Sequence, residues 1–175
     1  GPEVVIKALA DPQVYVWSRP LVVGDLETLR RAAELIGVRL ELGAVAEPAE
    51  GRYEFGAVDV LDLQTVDWHV MQRGWVSAAA GRSAVEAVLQ AAELAMAGSV
   101  GAIATGPLNK EAMRLAGYPF IGHTEILAEV THTAHSTTML VTGSLRVVHV
   151  TRHVPFRDIA GLITRERILE TIRLT

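Results

Sequence analysis

Hydrophobic and polar positions recur along this chain with two different periods. Apolar residues at 26, 29, 32, 33 and 36 follow the period of a helix with one buried face, set between Asp25 as an N-cap and Gly37 as a stop. Pro2 to Ala10 places Val5, Ile6 and Leu9 on one side behind a proline in the first turn, and reads as another helix. Ser77 to Ala97 is the longest helical pattern, rich in alanine and closed by Gly98. Leu21 to Gly24 and Val100 to Thr105 are short apolar runs of the buried-strand type, while Val38 to Leu42 and Val58 to Leu63 alternate as strands do. Pro12 stops the first helix, so Val14 to Trp17 reads as extended; Pro48 to Gly56 reads as a loop and Trp68 to Gly74 as a linker.

Further along, a helix is expected from His123 or Thr124 to about His132. Thr137 to Val141 and Leu145 to Thr151 read as two strands joined at a hairpin-like Thr142-Gly143-Ser144 turn. Helices around Arg157 to Leu162 and from Arg165 to Leu174 follow. Strands alternating with helices predict an α/β layered domain with a largely parallel sheet, to which the turn at Thr142 adds an antiparallel pair.

Composition narrows the class of function. The chain has 175 residues, enough for one sizeable core, and half of them are hydrophobic with only 5% aromatic, so Val, Ala and Leu must build the interior. A net charge of -4 with no basic run argues against a nucleic-acid partner. The absence of cysteine removes disulfides and thiolate metal sites and fits a reducing, cytoplasmic setting. Apolar runs are broken well short of membrane-spanning length, so no membrane partner is expected.

Candidate chemistry gathers in Thr105 to Glu125, TGPLNKEAMRLAGYPFIGHTE. A strand that stops at Gly106-Pro107 and restarts as a helix near Asn109 directs backbone N–H groups outward, where anions settle in α/β proteins. Lys110 adds a compact positive charge for a phosphate or carboxylate, although a lysine in a first helical turn is ordinarily solvated. His123 and Thr124, beside Gly122, offer an imidazole and a hydroxyl; Thr124 and Glu125 equally suit a helix start. His153 follows the strand Leu145 to Thr151, at a strand end where ligand-contacting groups stand in such folds, and a lone histidine there serves equally as a hydrogen-bonded spacer. His149 would lie roughly 13 Å from it in an extended strand, too far to share one ion. His132 and His135 sit near a helix end, where cationic side chains are favoured in any case. No P-loop, GxGxxG or Ser-His-Asp order is present.

Taken together, Gly1-Pro2-Glu3, Thr105-Gly-Pro-Leu-Asn-Lys110, Gly117-Tyr-Pro-Phe-Ile-Gly-His-Thr-Glu125, Thr138-Met-Leu140, Leu145-Arg-Val147 and Thr151-Arg-His-Val-Pro155 resemble the 4-hydroxythreonine-4-phosphate dehydrogenases of vitamin B6 biosynthesis and their close paralogues. The order and spacing hold from residue 1 to about 174. The resemblance implies a three-layer α/β/α fold like that of the isocitrate and isopropylmalate dehydrogenases, and a homodimer whose active site borrows residues from the partner subunit. It implies NAD (or NADP) oxidation, with decarboxylation, of 4-phosphohydroxy-L-threonine to 3-amino-2-oxopropyl phosphate. Paralogues acting on threonate or erythronate phosphates, or on an aromatic cis-diol, are the alternative, as is a non-catalytic half-fold. It assigns substrate contact to His123 and Thr124, and to His153 the role of one of three histidine ligands to a divalent metal (Zn, Mg or Mn). Lys110 remains a substrate-binding candidate by geometry alone.

The chain departs from that pattern in two places. The Gly-Asp-Pro-Ala-Gly-Ile stretch that precedes Gly-Pro-Glu in the family is missing. The Asn-Pro-His-Ala-Gly and Tyr-His-Asp-Gln stretches carrying the other two metal histidines, and much of the cofactor pocket, are missing too. The expectation is therefore the N-terminal half of such an enzyme, incomplete in its sheet and inactive by itself.

Overall fold

The computed structural model describes residues 1–152 and 154–175. Two compact units divide the chain, Gly1–Thr131 and His132–Thr175.

In the first unit, the sheet is built from Leu21–Gly24 (β1), Glu41–Val45 (β2) and Ala57–Asp62 (β3), all parallel and ordered β1-β3-β2. The central position of β3 follows from its sequence, because Ala57, Val58, Asp59 and Val60 are all buried as a two-sided strand must be. Val22 pairs with Val60 on one side and Ala44 with Val60 on the other. Parallel strands need crossovers, and Leu26–Ile36 (α3) supplies the one from β1 to β2. Asp25 caps that helix, accepting from Thr28 N at 2.8 Å, and Gly37 ends it at φ 68 where a side chain would be strained. Pro2–Leu9 (α1) packs on α3, and Ile6, Leu9, Leu26, Leu29, Ala32, Ala33, Val58 and Val60 form one core.

Ala78–Met96 (α4) carries a second core. Ser77 caps it, and Val85 and Val88 meet Met113 of Lys110–Leu115 (α5) and Ile126 of His123–Val130 (α6). Both short helices are therefore seated on the long one.

The second unit holds an antiparallel hairpin, Met139–Thr142 (β4) with Leu145–Val148 (β5), in the register Thr142 to Leu145. Gly143 at φ 55 makes the two-residue turn possible. Ile159–Leu162 (α7) and Arg165–Arg173 (α8) follow. The Arg167 Nε donates to the Val150 carbonyl at 2.8 Å, and the His135 Nδ1 pairs with Glu170. No described residue of this unit is buried. No helix among the described residues is long and apolar enough to cross a membrane.

Three expectations change. Val14 to Trp17 is helical, part of Pro12–Trp17 (α2), because Asp11 accepts from Gln13 N at 2.9 Å and the proline takes the first helical position instead of merely ending the previous helix. The second strand begins at Glu41, whose N–H donates to the Gly56 carbonyl at 2.8 Å, and not at Val38. Val100 to Thr105 is not a strand: no described strand pairs with it, and Gly101, Ala102 and Ala104 are exposed. Small residues give a strand little to pack, so apolarity alone does not secure a ladder there.

Candidate functional site

The Thr105 to Glu125 stretch is organised by α4. Asn109 caps α5 through its side chain, which accepts from Ala112 N at 2.9 Å, and this sets Lys110 as the first helical residue with its side chain in solvent. Leu108 packs into the second core just before it. Gly106-Pro107 lies against the start of α1, where a Cβ on Gly106 would stand 3.9 Å from both Gly1 Cα and Val5 Cγ2. A side chain at 106 would thus make ordinary van der Waals contact with that helix start.

Between α5 and α6, Gly117 at φ 85 closes the first helix, and the Tyr118 and Phe120 rings stack at 6.0 Å. Both aromatics pack on the second core, which anchors the loop delivering Gly122. His123 and Thr124 are then the first two residues of α6, with Ile126 N donating to the Gly122 carbonyl at 3.4 Å. No side chain caps this helix.

The His123 Nε2 is buried and has no hydrogen-bond partner among the described residues. A buried ring nitrogen left unmatched costs roughly 1–3 kcal/mol, and folded proteins rarely leave one without a purpose. A ligand oxygen placed against it would remove the deficit. Trp68 Nε1 is the other such atom, and the Arg31 guanidinium lies 4.7 Å from the centroid of its ring. The sequence treats Trp68 as linker; only the tertiary fold reveals its burial.

His153 lies outside the described residues. Upstream of it, Val150 is held by Arg167, and Arg152 Nη1 donates to the Thr138 hydroxyl. Among the described residues no group of three or more His, Asp or Glu side chains could hold a metal ion. Lys110, His123 and Thr124 thus share one unit and one supporting helix.

Near the sheet, titration behaviour marks Tyr15. The Tyr15 hydroxyl donates to the Ala57 carbonyl at 3.1 Å, and burial, with the Asp59 carboxylate as a second cause, pushes its ionisation above the ordinary tyrosine value. Asp59 is itself buried and accepts from Tyr53 N at 2.8 Å, holding Tyr53 at φ 55. These contacts fix the loop before β3 and are structural.

The profile of the family described as pyridoxal phosphate biosynthetic protein PdxA matches residues 16–175. A protein of Symbiobacterium thermophilum provisionally named D-threonate 4-phosphate dehydrogenase is 47% identical over 173 residues, covering 99% of this chain and 52% of its own length. A 4-hydroxythreonine-4-phosphate dehydrogenase of Desulforapulum autotrophicum is 39% identical over 175 residues, again with 52% of its length covered. The crystal structure of a 4-hydroxythreonine-4-phosphate dehydrogenase from Burkholderia phymatum superposes with a TM-score of 0.91 at 40% identity, covering 98% of this chain and 52% of that one. The chain spans about half the length of the curated relatives it matches.

Proposed function

Because the chain belongs to the family of the pyridoxal phosphate biosynthetic protein PdxA, we propose that it carries the substrate-gripping part of a nicotinamide-dependent dehydrogenase for a small phosphorylated hydroxy acid. The observation that carries this reading is the buried, unpartnered Nε2 of His123 at the head of α6. A substrate hydroxyl or carboxylate oxygen is the ligand such a nitrogen accommodates. Thr124, next in the same turn, offers a hydroxyl to the same substrate. Lys110 supplies a positive charge for the phosphate or carboxylate.

The proposed reaction is oxidation of the secondary hydroxyl at C3, with hydride leaving to the nicotinamide of NAD or NADP. The 3-oxo acid then loses carbon dioxide. A divalent ion, of which His153 would be one ligand, would lower the pKa of that hydroxyl. The remaining metal ligands, and a homodimer whose active site borrows residues from the partner subunit, belong to this proposal. This chain's own contribution is to bind and orient the substrate.

Two substrates fit the class and differ at C2. The family motifs in the sequence lead to 4-phosphohydroxy-L-threonine, with an ammonium there, as the names of the Desulforapulum and Burkholderia relatives do. The 47% identical Symbiobacterium relative favours D-threonate 4-phosphate, with a hydroxyl there. Thermal melting with each compound, with unphosphorylated D-threonate and with inorganic phosphate, tests both. The expected result is stabilisation by one phosphorylated hydroxy acid and its loss in His123→Ala. Equal response to all four, or to none, would sink the reading.

A further inference from the structure

Gly81 lies in the first turn of α4 and is buried against α5. A Cβ at this position would fall 2.7 Å from Met113 N and closer still to the carbonyl of Ala112. Every one of those atoms is backbone, so no side chain can rotate aside to make room. Other glycines on or beside helices behave differently: Gly98 and Gly161 have open space where a Cβ would go. The two helices therefore meet at backbone contact at Gly81, and the contact lies two and three residues after Lys110. Beyond it, the seating of α5 is set by Met113 against Val85 and Val88.

We infer that Gly81 is a positioning residue for Lys110: the missing side chain at 81 sets how closely α5 lies on α4, and thereby where the ammonium at the start of α5 stands relative to the substrate. The inference rests on the reading of Lys110 as a substrate contact. A rigid helix transmits a displacement at Ala112 to its own first residue, because six residues span fewer than two turns. The α6 start, carrying His123, is seated on α4 through Ile126, Val85 and Val88, so a shift of α5 changes the spacing between Lys110 and His123. Placement errors near 1 Å cost binding and catalytic groups heavily.

The experiment is a double-mutant cycle between Gly81→Ala and Lys110→Ala on the 175-residue chain, read as the dissociation constant of the phosphorylated hydroxy acid that stabilises it. Leu29→Ala serves as control, since it opens a cavity in the other core of the same unit and leaves the packing of α4, α5 and α6 alone. The expected result is a loss of about tenfold or more for G81A with Lys110 present, and less than about twofold with Lys110 already removed. L29A, at a temperature well below its melting point, should keep wild-type affinity. Equal losses for G81A in both backgrounds, or an L29A loss matching that of G81A, would overturn the inference and leave Gly81 a packing residue. If K110A alone changes nothing, the reading of Lys110 fails first and the inference with it, an outcome distinct from additivity. Should G81A fail to fold, Met113→Leu, which reseats α5 with nearly conserved volume, takes its place in the cycle with the same two outcomes.

Discussion

His123 is where residue chemistry and stability pull against each other. Its unmatched Nε2 is a cost to the ligand-free chain, so His123→Leu should leave the melting temperature unchanged or raise stability by about 1 kcal/mol while abolishing substrate binding. Calorimetric melting and titration of the same preparation check this, and a strongly destabilised H123L would show that the imidazole is matched after all. A second residue-scale prediction concerns Tyr15. Its hydroxyl is held neutral above the ordinary tyrosine range, so the stability it contributes is full below the unfolded-state value near 10 and is lost as pH rises through the folded one. Wild type should lose stability above pH ~10 more steeply than Tyr15→Phe in denaturant titrations at stepped pH. Lys110, His123 and Thr124 stand out in the sequence as candidates from their positions in Thr105 to Glu125. The burial of Nε2 does not, because it depends on how α6 seats against α4, and neither does Gly81, whose role appears only when Ala112 is brought beside it.

Among the elements, α3 was legible in full because Asp25 and Gly37 mark its ends chemically. Asp25 does more than cap: it is buried, and its carboxylate accepts from Thr28 N, from the Thr28 hydroxyl at 2.6 Å and from Val66 N at 3.2 Å. Asp25→Ala should therefore cost roughly 2–3 kcal/mol, above an ordinary cap, and Asp25→Asn less, as read from urea melts. A change under about 0.5 kcal/mol would mean that water replaces the carboxylate. Where the pattern misleads, the cause is local. Pro12 both ends one helix and begins another, and half of the apolar run Val100 to Thr105 is Gly and Ala, which carry little strand preference.

At the scale of the molecule, every buried residue among those described lies in Gly1–Thr131. The hairpin and α8 of His132–Thr175 instead leave Leu140, Val141, Leu145 and Ile172 more than half exposed. Few buried contacts mean a low opening free energy. Hydrogen exchange should accordingly protect β3 and α4 for far longer than β4, β5 and α8, and equal protection across the two units would contradict that division. The family fold was legible because its motifs run the length of the chain, yet the matched relatives are about twice as long. On the proposed reading, in which His153 is one metal ligand of several, these 175 residues by themselves should form no NADH from either phosphorylated substrate. The central claim, that this chain grips substrate through His123, is tested most directly by following the His123 ring nitrogens by NMR during titration with D-threonate 4-phosphate and 4-phosphohydroxy-L-threonine. The account predicts a saturable shift of the Nε2 signal with one of them, absent with inorganic phosphate alone; signals that stay fixed to millimolar concentrations of both would contradict it.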